Sequence, residues 1–385
     1  MDFRLTEEQQ DIKNAAKEFA EKEFDLEYAR KCDAEHIYPK ELVKKVAENG
    51  FIGIYIPEEY GGGGLGQLEK VLVLEEFFRV DSTLAEPIAN ADFGCEQIML
   101  YGSEEQKSKY LAKVASGEWT SSALYTEPDA GSDLASVRVS AKKDGGNWVI
   151  NGTKTFATNA EYASFGLVLC RTEEESVGPK GTSMIIVDDF QGRNDISISS
   201  VGDKMGIRAS STCEVAFDNC TVPIGNLIGK EGNGFMQAMN FFDVTRVIVA
   251  AQAVGNAQGA YEKALDYVRK RRQFGVPIGT FEAIQFKIAE MATKLEAARN
   301  LVYKSAWKVD IGEPDLTLSS MAKWYASRIS KEVCDDAIQL HGGYGYMAEY
   351  DVERAYRNTR IREIYEGTTE IQKYTIGRAL IGKLK

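Results

Sequence analysis

The stretch WVINGTKTF, Trp148 to Phe156, is where the hydrophobic pattern of this chain changes period, and its reading decides the fold. Before it, apolar residues recur at helical spacing. Here aromatic and β-branched residues bracket an Asn-Gly pair. Asn151-Gly152 between Trp148-Val149-Ile150 and Thr153 to Phe156 predicts a β-hairpin with a type I′ turn, whose central residues need positive φ. FGLVLC (165–170), SMIIVD (183–188), ISISSV (196–201) and CEVAF (213–217) read as further short strands. Residues 120–228 are thus expected to form a middle β-domain, a barrel or sandwich.

Helical patterns flank it. Thr6 and Gln9 are spaced as a capping box, followed by Ile12, Ala15, Ala16 and Phe19 at i, i+3, i+4, i+7. Pro39 suits the first turn of a helix that stops near Gly50. Ser103 and Gln106 open another, ending near Gly117. On the far side, Ile284, Ile288, Met291, Leu295, Ala298 and Val302 step by 4, 3, 4, 3, 4, a seam suited to a bundle. The expected class is α+β: an N-terminal helical domain (1–119), the β-domain, and a C-terminal four-helix bundle (229–385).

Composition narrows the function. A net charge of −12 with no basic block argues against nucleic acid. No apolar run is long enough for a membrane span, and MDFRLTEEQQ has no signal-peptide pattern, so a cytoplasmic protein is expected. The six cysteines lack a CxxC pair and read as reduced, packed thiols. With His36 and His341 the only histidines, no metal site is expected. GGGGLG (61–66) fits GxGxxG, but no strand–helix alternation follows, so a flexible surface turn is expected. GNLIGK (225–230) is one residue short of a P-loop. His341 in LHGGYGY reads as packed or backbone-bonded.

One stretch offers chemistry. In IYEGTTEIQ (364–372), Thr369 and Gln372 are spaced as a capping box, and Gly367 permits a tight turn before it. Glu366 then sits on a turn, held by backbone. By itself that is either a helix-start charge or a positioned base.

Four segments together decide between them. YTEPDAGSD (125–133), KMGIRASSTCEVAFDNCTVP (204–223), RRQFG (271–275) and IYEGTTEIQ closely resemble the signatures of the acyl-CoA dehydrogenase family, across nearly the whole chain. The resemblance is to the short-, medium- and branched-chain group, whose catalytic glutamate is C-terminal. It implies a homotetramer with one FAD per subunit, and Glu366 as the base that removes the α-proton of an acyl-CoA while the β-hydrogen leaves as hydride to flavin N5. The Glu366 N–H would bond the thioester oxygen. Thr126 and Ser132 would meet the flavin and pyrophosphate region, with Phe156 and Thr158 against the flavin ring. Arg271 and Phe274 match positions that reach a neighbouring subunit's FAD. Gln339, Gly342 and Gly343 match its adenosine-side loop, and Thr368 and Glu370 its pyrophosphate-side turn. Asp243 and Arg246 in FFDVTR match the CoA and substrate mouth, with Gly367 beside the base.

Two positions depart from the family pattern. Phe156 stands where tryptophan is usual, and Glu282 where glutamine meets the neighbour's FAD. The ANADFGCEQIML segment (89–100) corresponds to the helix around the acyl tail. Asp92 there is either a water-facing helix cap or a polar group in the pocket of a short-chain, cyclic or functionalised acyl substrate. An electron-transfer flavoprotein is the expected acceptor. The alternatives are an acyl-CoA oxidase and a flavin-free scaffold.

Overall fold

Thr6 Oγ1 accepts the Gln9 N–H and the Gln9 side chain returns to the Thr6 N–H, so the expected capping box opens α1 (Glu7–Glu23). The computed structural model describes residues 4–173, 175–176 and 178–382. Helices α2 (Leu26–Glu35), α3 (Lys40–Glu48), α4 (Gln67–Val80), α5 (Ser82–Ala89), α6 (Cys95–Tyr101) and α7 (Glu104–Ala115) follow. Ser103 and Gln106 make the second box, at α7. Pro39 lies one residue earlier than expected, as the N-cap of α3. The GGGGLG segment is not a loose surface turn. A Cβ at Gly62 would lie 2.1 Å from the Ile56 carbonyl oxygen, and one at Gly63 2.7 Å from that of Ile54. Glycine is required because backbone packs on backbone.

Strands β1 (Ser121–Leu124), β2 (Ser140–Asp144), β3 (Asn147–Thr158), β4 (Phe165–Arg171), β5 (Thr182–Asp188), β6 (Ile196–Ser200), β7 (Thr212–Pro223) and β8 (Leu227–Ile228) form one sheet. Its order is β6-β7-β3-β2-β4-β5-β8, with β1 parallel to β4. The hairpin expected within Trp148–Phe156 is corrected. β3 runs unbroken through Asn151-Gly152, and the turn is Gly145-Gly146, between β2 and β3. Gly152 has φ +127 at a register slip against β7, a bulge. The pair supplies unusual backbone geometry, but Asn151 Oδ1 accepts the Asn219 N–H across the ladder, which holds the strand straight on. A second slip, between Lys154 and Ala157, turns Phe156 outward at φ +54.

The chain then returns to helix: α8 (Gly234–Lys270), a short ladder of β9 (Arg272–Gln273) and β10 (Val276–Pro277), α9 (Glu282–Asp310), α10 (Leu316–His341), α11 (Val352–Thr359) and α12 (Thr369–Ile381). The expected seam is on α9: Met291, Leu295, Ala298 and Val302 are buried, and Ile284 and Ile288 pack against the same core. Leu68, Val71 and Leu72 of α4 join that core. A Cβ at Gly255 would lie 2.4 Å from the Glu75 carbonyl oxygen, and one at Gly259 2.1 Å from that of Arg79. Helices α4 and α8 therefore meet backbone to backbone, and this fixes α4 beside the site described next. Among the described residues, no helix is long and apolar enough to cross a membrane.

Candidate active site

Helix α12 begins one residue earlier in register than the sequence suggested. Thr368, not Thr369, is the N-cap, its Oγ1 accepting the Ile371 N–H at 3.3 Å. Gln372 is thereby free for another task. Its side-chain amide donates to the Glu366 and Gly367 carbonyls, at 3.1 and 2.9 Å. From α10, the wholly buried Lys323 donates to the Gly367 carbonyl at 2.7 Å. Glu366 and Gly367 have φ +51 and +90. For glutamate that conformation costs on the order of 1–3 kcal/mol, and it persists where the surroundings over-determine it. Two donors from two helices do so here.

The carboxylate held by this turn is short of partners. Glu366 Oε2 and the hydroxyl of Thr245 are both buried and face each other without a well-formed hydrogen bond. Burial pushes Glu366 up to about 7, against the lowering influence of Thr245, Lys323 and Arg246, and with Glu96 adding to the rise. Burial brings Lys323 down to about 7, while Glu366 favours its charge. Arg246 and Asp243 pair at 3.0 Å one turn apart on α8. Among the described residues the Glu366 N–H finds no backbone acceptor. A carboxyl group that exchanges its proton near neutrality, beside a free N–H, is equipped for acid–base work on a carbon next to a carbonyl.

Other expected residues gather in two places. Thr155 N–H donates to the Thr126 carbonyl at 2.9 Å, which sets Thr126 beside the end of β3 that carries Phe156 and Thr158. Ser122 Oγ holds the Thr158 carbonyl at 2.6 Å. Phe156 is 64% exposed, an outward aromatic face on a bulge. Ser132 is exposed on the TEPDAGSD loop. That loop is anchored by Glu127, which accepts the Arg138 and Val139 N–H groups and pairs with buried Lys154 at 2.7 Å. Arg271, Phe274, Gln339, Gly342 and Gly343 line a separate open cavity of about 740 Å³. Phe274 stands there at φ +52, 92% exposed. A Cβ at Gly342 or Gly343 would meet nothing within 4 Å. An exposed aromatic face with hydroxyls beside it, and an exposed guanidinium beside an open glycine loop, fit the flat rings and diphosphate of FAD. Glu370 is exposed in the first turn of α12, and Glu282 in that of α9. His341 is packed: its Nδ1 lies 2.7 Å from the Ala337 carbonyl oxygen and its ring stacks on Tyr267.

Asp92 is not a water-facing cap. It is buried, with Oδ2 3.1 Å from Lys70 Nζ, and Lys70 also reaches Glu96 Oε1 at 3.1 Å. Lys70, Glu96, Lys323 and Gln372 carry roles that the sequence alone did not reveal. A lysine inside an amphipathic helix looks solvent-exposed until the opposing helices are placed.

Family models match in sequence along the chain: the N-terminal domain of acyl-CoA dehydrogenase at residues 6–118, its middle domain at 122–220 and its C-terminal domain at 232–381. The chain belongs to the acyl-CoA dehydrogenase family. Its expected class of reaction, oxidoreduction of an acyl-CoA with FAD, stands. It is 44% identical to the acryloyl-CoA reductase (NADH) of Anaerotignum propionicum, over 99% of this chain and 96% of that protein. The butyryl-CoA dehydrogenase of Megasphaera elsdenii superposes with a TM-score of 0.95 at 37% identity, over 99% of this chain and 100% of that one. A chain solved in work on the electron transferring flavoprotein of Acidaminococcus fermentans and flavin-based electron bifurcation gives 0.96 at 42% identity, covering 100% of both.

Proposed function

We propose that this enzyme interconverts a short-chain, cyclic or functionalised acyl-CoA and its α,β-enoyl-CoA, with Glu366 moving the α-proton. The observation that carries this is Glu366, whose Oε2 is buried without a hydrogen bond, on a turn clamped by Lys323 and Gln372. The Glu366 N–H bonds the thioester oxygen, which makes the α-proton more acidic while the adjacent carboxylate receives it. Gly367 keeps the turn free of a side chain on that approach. Asp243 and Arg246 flank the mouth through which the thioester enters. FAD, held by Thr126, Ser132, Phe156 and Thr158 and near Thr368 and Glu370, supplies the two-electron acceptor. Arg271 and Phe274, with Gln339, Gly342 and Gly343, serve the cofactor of a second subunit.

That last assignment requires at least two subunits; a homotetramer is the proposed assembly, and the nearly bare Phe274 and Tyr346 rings support burial against another copy. An electron-transfer flavoprotein is the proposed partner, supported by the Acidaminococcus likeness. A cytoplasmic location is supported by six free, buried thiols. The 44% identical acryloyl-CoA reductase favours a second reading, the same proton transfer run toward the saturated thioester. A Glu366 that titrates near 7 serves as acid or base. Anaerobic bleaching of the bound flavin by a panel of linear, branched and alicyclic acyl-CoAs tests the proposal. A colourless protein means a scaffold, and reoxidation by oxygen at the turnover rate means an oxidase.

A further inference from the structure

Between α4 and α6 lies a polar cluster that α,β-chemistry does not use. Lys70 Nζ is 3.1 Å from both Asp92 Oδ2 and Glu96 Oε1, and 3.8 Å from the centre of the Tyr55 ring. All four residues are at most 7% exposed. Glu96 Oε2 and the Tyr55 hydroxyl, which face each other, lack a well-formed hydrogen bond, as do the Tyr125 hydroxyl and, next along α6, both ends of the Gln97 amide. Each such group is costly to bury unpaired. So many in one neighbourhood argue for an occupant that supplies hydrogen bonds. The cluster lies toward the base. Glu96 acts on Glu366, and Tyr125 feels both carboxylates. The Tyr125 ring packs on Phe241, which meets Phe93, so an aromatic wall runs beside the path between them.

We propose that this cluster receives the distal end of the acyl group, and that the end it takes is a neutral hydroxyl. The inference rests on Glu366 being the base for an acyl-CoA. An alkyl end leaves every orphaned atom unpaired. A distal carboxylate meets two like charges and one ammonium already shared between them. A hydroxyl donates to Glu96 Oε2 and accepts from the Gln97 amide or a tyrosine O–H, so it satisfies both polarities.

The test compares kcat/KM of the FAD-loaded enzyme for 4-hydroxybutyryl-CoA and 5-hydroxypentanoyl-CoA with butyryl-, pentanoyl- and glutaryl-CoA. At least one hydroxyacyl thioester is expected to exceed its alkyl counterpart by roughly tenfold, one hydrogen bond's worth, with glutaryl-CoA the poorest. Tyr55→Phe and Gln97→Leu remove orphaned groups without unpairing a charge, and the ratio should fall toward one in either. A wild-type ratio of one or less, or a preference for glutaryl-CoA, means the cluster holds water only and overturns the assignment. A high ratio untouched by both variants places the hydroxyl elsewhere and also overturns it. If alkyl acyl-CoAs bleach the flavin, those outcomes leave the proposed reaction intact. If no thioester does, that reaction falls first, and this inference with it.

Discussion

The buried ammonium of Lys323 lies 2.7 Å from the carbonyl oxygen of Gly367, the residue after the proposed base. One side chain thus holds the turn and, while protonated, places a positive charge near Glu366, although burial brings its own pKa down to about 7. The facing charges include Arg246 and Asp243 from α8, Glu96 from α6, and Glu363 and Glu370 from the segments on either side of the turn.

The first prediction separates the two roles of Lys323. In the free enzyme kcat/KM should rise with pH as Glu366 loses its proton near 7. Lys323 favours the ionised carboxylate, so Lys323→Met should raise the Glu366 pKa and move this limb to higher pH. Lys323→Arg should restore part of the shift. A lower kcat with an unmoved limb would show that the lysine only clamps the backbone.

Glu366→Gln keeps the shape and removes the base, so turnover should fall by roughly 10²–10⁴, with FAD content nearly unchanged. Stability adds a second readout. Glu366 is raised from 4.5 to about 7, so the folded state holds its proton more tightly than the unfolded chain. The stability this contributes is complete below 4.5 and lost as pH rises through about 7. The variant should therefore match wild type in stability near pH 4.5 and exceed it at pH 8 by at most about 3 kcal/mol, read as a higher Tm at pH 8 alone. Equal Tm at both pH values would mean that the carboxylate is solvated.

The helices, their seam and most strands were legible because burial imposes a period on them, as Met291, Leu295, Ala298 and Val302 show. Asn151-Gly152 misled because positive φ serves a bulge as well as a turn, and the Asn219 contact that decides between them lies on a distant strand. Thr369 and Gln372 fitted a capping box, yet the neighbouring Thr368 had the same chemistry, and only the Glu366 and Gly367 carbonyls show what Gln372 is for. Lys70 and Lys323 stayed hidden for a related reason. Their partners, Asp92, Glu96 and Gly367, come from other elements, and local pattern carries no record of them.

Arg271 is the residue to change for cofactor binding. It caps the end of α8 with its guanidinium 5.7 Å from the Tyr344 ring centre, exposed over the glycine loop. Losing one charge-assisted hydrogen bond removes roughly 1.5–3 kcal/mol. Arg271→Ala should accordingly weaken FAD binding by about 10- to 150-fold, measured by equilibrium dialysis. If the guanidinium serves a second subunit's cofactor, mixing Arg271→Ala chains with wild-type chains should give hybrids with intermediate FAD content. Full occupancy of the homogeneous variant would assign Arg271 to the surface alone.

The last prediction concerns Asp92, which the fold buries against Lys70 rather than leaving in water. Burial works against the charge of Lys70, but Asp92 and Glu96 outweigh it and raise its pKa, so the ammonium stays charged. Burial raises Glu96, and Asp92 adds to that rise against the pull of Lys70. Deleting Asp92 leaves one carboxylate for one ammonium. Glu96 should then ionise more readily and turn toward Lys70, because an unpaired buried ammonium is costly. The end of the proposed pocket becomes a closed ion pair beside a new apolar methyl, a better surface for an alkyl chain than for a polar one. Asp92→Ala should thus shift preference toward linear acyl-CoAs while FAD stays bound. The measurement is kcat/KM for butyryl-CoA against alicyclic acyl-CoAs and 4-hydroxybutyryl-CoA in both proteins. An unchanged ratio with a lowered Tm would leave Asp92 as a structural partner of Lys70, remote from the substrate.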